Sequence, residues 1–265
     1  MSKIKFSQFF YGILIIAYRD VLKLVRDKRR LIGGLIFPFA SIAILGSSLD
    51  ANLSKTVGFN FLIFVYLGVI TQNMFSSTAS GIAWLIEDRQ NDFSQTFFVA
   101  PISRYTIIFG KVLGESIVAY TQIFGLALIG FIAGVELDFL RFFQILPILF
   151  LICFFGGAFG VLIMANFMDK RSIDQVFPFF IFPQFFLSGV FIPMKDVPEY
   201  LIVLSRITPL FYAVDFVRGL YYFGKPEYDL VVVYNPFLNL GVMILMFFAF
   251  IGIGTYIFVK SEKER

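Results

Sequence analysis

The sequence predicts an all-α membrane protein: six transmembrane helices, an N-terminal amphipathic helix lying in the interface, and re-entrant helices between spans five and six. Three observations carry this. Hydrophobic residues make up 58% of the 265 residues and charged ones 15%, where soluble domains hold about 45–50% and about 25%. Mean hydropathy is +0.84. Charge-free runs long enough for a helix to cross a hydrocarbon core of about 30 Å recur along the chain. The 40 charged residues could not cover this much apolar surface in water, and disorder is excluded by how much there is to bury.

Taken in order, residues 1–30 read as the interfacial helix. Phe9–Tyr18 is apolar but only ten residues long, too short to cross. Arg19-Asp20 follow where a leader peptide would present small residues. The basic run Arg26, Lys28, Arg29, Arg30 closes the segment and fits an anionic membrane surface. Residues 31–265 form the transmembrane domain, with spans expected at 31–49, 57–86, 106–134, 142–168, 175–192 and 237–259. The second expected span has 30 residues, about 45 Å of helix, so it must tilt, break or project from the membrane. Between spans five and six, apolar stretches interrupted by Pro209 and carrying Asp215 and Arg218 fit re-entrant helices better than another crossing.

Charge bias sets the expected orientation. With the N-terminus inside, 16 of the 22 basic residues fall on inner segments, and Lys and Arg collect on the cytoplasmic side. Both termini are therefore expected in the cytoplasm, and the net charge of +4 is explained without nucleic acid. The outer connections at 50–56 and 135–141 are too short for a soluble domain. The two long connections are an inner one at 87–105 and an outer one beginning at 193.

The chain has little equipment for chemistry. It contains no histidine and one cysteine, which removes the usual general base, the serine–histidine relay and a disulfide framework. Glu115 is the ionisable group set deepest in a span, and it reads as an i,i+4 partner of Lys111 or a snorkelling contact. Span two carries a polar stripe, Asn73, Ser76, Ser77 and Ser80, with Thr71 and Gln72 just before it. Two readings stand: the lining of a translocation path, or interhelical hydrogen bonds. Gly110-x-x-x-Gly114 and Gly156-x-x-x-Gly160 are small-residue packing motifs. Pro178 and Pro183 make span five irregular. There is no phosphate loop: Tyr105 stands where a Walker motif ending in Gly110-Lys111 needs its first glycine, and Val112 follows the lysine.

Three groups of residues together resemble the membrane subunit of a type-2 ABC exporter. Arg19-Asp20 through Arg26-Asp27-Lys28-Arg29-Arg30-Leu31 is similar to that family's basic interfacial helix. Glu87-Asp88-Arg89, then Pro101-Ile102-Ser103-Arg104 and Gly110-Lys111, resemble its inner loop and the start of its third span. Leu187-Ser188-Gly189 through Pro193, Val197-Pro198, and Thr208-Pro209-Leu210-Phe211-Tyr212 through Asp215 and Arg218 resemble its outer signature. Asp92-Phe93-Ser94-Gln95 departs from the Gly-Thr-x-Glu common in the loop, and Thr208 replaces the usual asparagine.

The resemblance implies a permease subunit of the bacterial or archaeal inner membrane that exports a drug-like, lipid or glycoconjugate substrate. It would work as a homodimer with two copies of a cytoplasmic ATP-binding subunit. ATP and Mg would be bound by that partner, with no cofactor or metal in this chain and no catalytic residue. Residues 87–105 would be the coupling helix, with Glu87, Asp88, Arg89, Asp92, Phe93, Gln95, Phe97, Phe98, Pro101 and Arg104 at the partner's surface. Thr71, Gln72, Asn73, Ser76, Ser77 and Ser80 would be path candidates. Gly189, Pro193, Pro209, Asp215 and Arg218 would shape a re-entrant outer gate over 193–225, with Asp215 and Arg218 as an i,i+3 pair. An ion-coupled secondary transporter or a membrane-embedded lipid-modifying enzyme are the alternatives. The first would want buried carboxylates, the second clustered acids, histidines or a metal site.

Overall fold

The computed structural model describes residues 2–26, 28–51, 58–90, 103–167, 169–195 and 197–263, and is all-helical over them. The helices are α1 (Ser2–Arg26), α2 (Lys28–Ala40, continued through a π-helical turn Ser41–Gly46), α3 (Phe61–Gln90), α4 (Arg104–Ile132), α5 (Phe139–Met164), α6 (Lys170–Leu187), α7 (Glu199–Ile207), α8 (Pro209–Tyr221), the single turn α9 (Tyr228–Val231) and α10 (Pro236–Lys263). Five of them are long and apolar enough to cross a bilayer: the helical run Ile32–Ala51, then α3, α4, α5 and α10. The pair α7–α8, bent by 100° at Thr208, is a broken span or a re-entrant loop. The bend fits residue chemistry: Thr208 is extended at φ −84° and ψ 121°, the conformation a residue before proline prefers.

Local chemistry moves the element ends away from the hydropathy limits. α3 begins at Phe61, four residues after the expected start at 57, because Asn60 caps it: its side chain accepts from the Ile63 amide at 2.9 Å. It then runs to Gln90, past the acidic residues at which the apolar run ends, since charge alone does not stop a helix. Ser103 caps α4 by accepting from Thr106 N at 3.1 Å, and Gly134 ends its turn at φ +75°. α6 stops at Leu187 instead of Ile192, because Gly189 takes φ +75° and turns the chain back. Lys170, Arg171 and Asp174 lie in its first turns, so its apolar length is short. α1 ends at Arg26 and α2 opens at Lys28, so the basic run is divided: Arg26 closes the first helix and Lys28, Arg29 and Arg30 open the second.

α3 is the axis of the bundle. Its spanning stretch is 83% buried, against 22% and 28% for the first and last spans, so the other helices are arranged around it. α5 lies against it through Gly156 and Gly160. A Cβ on these residues would stand 2.2 Å from the Phe75 carbonyl oxygen and 2.5 Å from that of Ala79. The two helix backbones touch, and interhelical packing of this kind is what holds spans together in lipid.

Candidate functional site

Three places combine polar groups with burial. The first joins α1 to the N-terminal part of α4. Gly110 and Gly114 let the helices meet, since added Cβ atoms there would lie 3.2 Å from Ile13 Cα and 3.0 Å from Ala17 Cα. Over this contact the Lys111 ammonium donates to Asp20 at 3.1 Å and lies 2.9 Å from Glu115 Oε1. All three side chains are at most 2% exposed. The i,i+4 pair expected from spacing is present, but it does not snorkel, and Asp20 from another helix completes it. Burial raises the Asp20 carboxyl above its ordinary range, with the Lys111 ammonium opposing. Sequence reasoning missed this cluster because Asp20 and Lys111 lie 91 residues apart; only the Gly110/Gly114 motif hinted at a close helix contact here. α1 is apolar on its other side too: Phe10, Tyr11, Leu14, Ile15 and Tyr18 are exposed.

The second place is the segment expected to form the outer cap. The Arg218 guanidinium, 3% exposed, donates to the carbonyls of Gly189 at 2.7 Å and of Val190 and Phe64 at 2.9 Å. It also stacks 3.4 Å from the Phe64 ring centroid. Gly68 makes room, because a Cβ there would lie 2.8 Å from the guanidinium and from the Val190 carbonyl. Asp215 turns elsewhere. It accepts from the Val233 and Tyr234 amides and the Asn239 side chain, each at 2.8 Å.

The expected Asp215–Arg218 pair is therefore replaced by two separate clamps. One holds the 188–190 turn to α3; the other holds the start of α10 to α8. Pro209 opens α8 as its first residue, and Pro193 sits in the non-helical return after Gly189. Exchange of Asp215 for Asn turns one accepting oxygen into an NH2 that faces a donor and takes the charge from the bonds that remain; we expect about 3 kcal/mol of destabilisation, measured as earlier thermal unfolding in nanodiscs and faster proteolysis near 232–235.

The third place is the polar stripe of α3. Asn73 donates to the Gly34 carbonyl of α2 at 3.0 Å, and Ser77 to Gln122 of α4 at 3.1 Å. Gln72 donates to Ser76 at 3.0 Å, whereas Thr71 and Ser80 bond back to their own helix. Between Phe64 and Ala83 every α3 residue is buried except Ser76, Ser77 and Ser80. The partly exposed positions of this stretch are thus all serines. Arg104 opens α4 and residues 87–90 close α3 as backbone. The side chains of Glu87, Asp88, Arg89 and Arg104, and all of Asp92, Phe93, Gln95, Phe97, Phe98 and Pro101, lie outside the described residues.

These features define a class: a multi-pass membrane protein whose polar groups clamp helices to one another. The chain belongs to the ABC-2 type transporter family, whose model matches residues 11–222. It is also similar to a protein of Cyanophora paradoxa named provisionally as a transport permease, ycf38. The two are 24% identical over 267 aligned positions, covering 97% of this chain and 90% of that protein. The chain is accordingly a transmembrane permease, and the family implies a transporter complex with an ATP-binding partner.

Proposed function

We propose that this chain is the permease subunit of an ATP-driven exporter in a bacterial or archaeal inner membrane, with both termini cytoplasmic. Two copies enclose the path and two ATP-binding subunits drive it, binding ATP and Mg themselves. The observation that carries the reading is α3. One unbroken helix, Phe61–Gln90, bears both the partly exposed serines and the first residues of the 87–105 connection. Thr71, Gln72, Asn73, Ser76, Ser77 and Ser80 are the path candidates, and a drug-like, lipid or glycoconjugate molecule is the cargo class. Gly189, Pro193, Pro209, Asp215 and Arg218 shape the outer gate. The partner docks on 87–105, where Phe93, Phe97 and Phe98 pack into its surface and Glu87, Asp88, Arg89, Asp92, Gln95, Pro101 and Arg104 surround them. Export needs ATP to favour one arrangement of the dimer over another, and a continuous helix carries that preference from the partner to the path.

The test is co-expression with the cognate ATP-binding subunit, comparing the intact chain with the Phe97→Asp/Pro101→Asp double variant in lipid. The intact pair is expected to copurify and hydrolyse ATP. The variant should lose at least tenfold in recovered complex or in hydrolysis while its own fold is retained. A well-folded chain that binds no ATP-binding subunit in any lipid would sink the reading.

A further inference from the structure

The Asp20–Lys111–Glu115 cluster is an unusual way to join two helices. Ion pairs withdrawn from water add little net stability, because desolvation offsets most of the attraction, but leaving one member unpartnered costs several kcal/mol. Such a cluster selects one register sharply. Here Gly110 and Gly114 bring the α4 backbone against Ile13 and Ala17, and Lys111 lies between the Asp20 carboxylate of α1 and Glu115 one turn on along α4. A slide of α1 by one residue would take Asp20 away from Lys111, and a slide of one turn would bring an apolar side chain, Ile16 or Leu24, in its place. The close glycine contact lets the two helices meet, and the charges permit one alignment.

Position gives this a consequence. Lys111 is seven residues into α4, which begins at Arg104, directly after the connection assigned above to the ATP-binding subunit. α1 carries the exposed apolar row Phe10, Tyr11, Leu14, Ile15 and Tyr18, which suits a helix resting on the inner leaflet. We infer that Lys111 is a positioning residue that locks α1 to the inner half of α4, so that the two move as one lever. A displacement of the connection then reaches the membrane along α4 and, through α1, across the interface as well. The direction of the transmitted motion rests on the docking reading. The lock itself is a property of this chain alone.

The test is hydrogen–deuterium exchange on the full chain in nanodiscs, first alone and then in complex with the ATP-binding subunit, with and without ATP and vanadate. In the isolated chain, Lys111→Met should raise amide exchange across residues 9–24 by at least tenfold and leave 116–132 unchanged. Asp20→Asn should do the same more weakly, and decides the matter if Lys111→Met does not fold. The exchanged pair Asp20→Lys/Lys111→Asp keeps one ammonium between two carboxylates and should restore protection to within about threefold of the parent, which a loss of mere packing would not. In the complex, ATP with vanadate should shift exchange of 9–24 and of the start of α4 together in the parent. In Lys111→Met the α1 response should disappear while α4 still responds.

Unchanged α1 exchange in both single variants overturns the lock. An α1 that keeps its response to ATP in Lys111→Met overturns the lever. Absence of any complex removes the docking reading but leaves the isolated-chain result standing.

Discussion

Replacement of Arg218 by methionine is expected to release the outer cap. The side chain reaches the carbonyls of Gly189, Val190 and Phe64 and covers the Phe64 ring. Phe64 keeps its place in a helix, but the Gly189 and Val190 carbonyls of the turn accept from Arg218, and each buried acceptor left unsatisfied costs about 1–3 kcal/mol. Removing the buried cation recovers some desolvation energy, so a net loss of about 3 kcal/mol is expected. Thermal unfolding in nanodiscs should fall by several degrees, and protease should cut within 188–198 at least ten times faster. Arg218→Lys should recover only part, because an ammonium cannot fork toward three carbonyls at once. A melting point and cleavage pattern equal to the parent's would show that the turn is held by packing alone.

The second large effect is expected at the contact of α3 and α5. Substitution of Gly156 by alanine sets a Cβ 2.2 Å from the Phe75 carbonyl oxygen and 2.8 Å from its Cα. Those are backbone atoms of the central helix, so no side chain can swing aside, and one span must move off the other. Overpacking commonly costs about 1–3 kcal/mol, and here the upper end or more is expected. Gly160→Ala meets Ala79 in the same way, and the double variant should not yield monodisperse protein. Gly157→Ala should be milder, since its nearest contact is the Val112 side chain. Gly241→Ala and Gly252→Ala meet nothing within 4 Å and should leave the isolated chain as stable as the parent. Size-exclusion recovery and apparent Tm across these six variants check the order; equal behaviour of Gly156→Ala and Gly241→Ala would overturn it.

The legibility of this protein varied with the range of the interaction. Five of the six apolar runs overlap helices long and apolar enough to cross a bilayer, whereas the run at 175–192 falls on α6, which is not among them; each crossing run must match the same hydrocarbon thickness. The glycine pairs announced close packing but not their partners: Gly156 meets Phe75 and Gly114 meets Ala17, contacts across tens of residues that no local spacing encodes. Asp215 and Arg218 illustrate the reverse failure. Their i,i+3 spacing and opposite charge implied a local pair, yet stronger offers from elsewhere drew them apart, three donors for the carboxylate and three carbonyls for the guanidinium. The stripe on α3 shows a mixture. Its polarity was plain, and the structure sorted it into Asn73 and Ser77 bonded across helices and serines left partly exposed.

What the sequence determined by itself is the membrane class, the helical content and the bend before Pro209, since hydropathy, length and proline geometry are properties of single segments. The tertiary structure alone decided that α3 is the central helix, that Asp20 completes the Lys111–Glu115 pair, and that the outer cap is held by two clamps. Each of these depends on which distant groups compete for one buried donor or acceptor, and that competition exists only once the helices are packed.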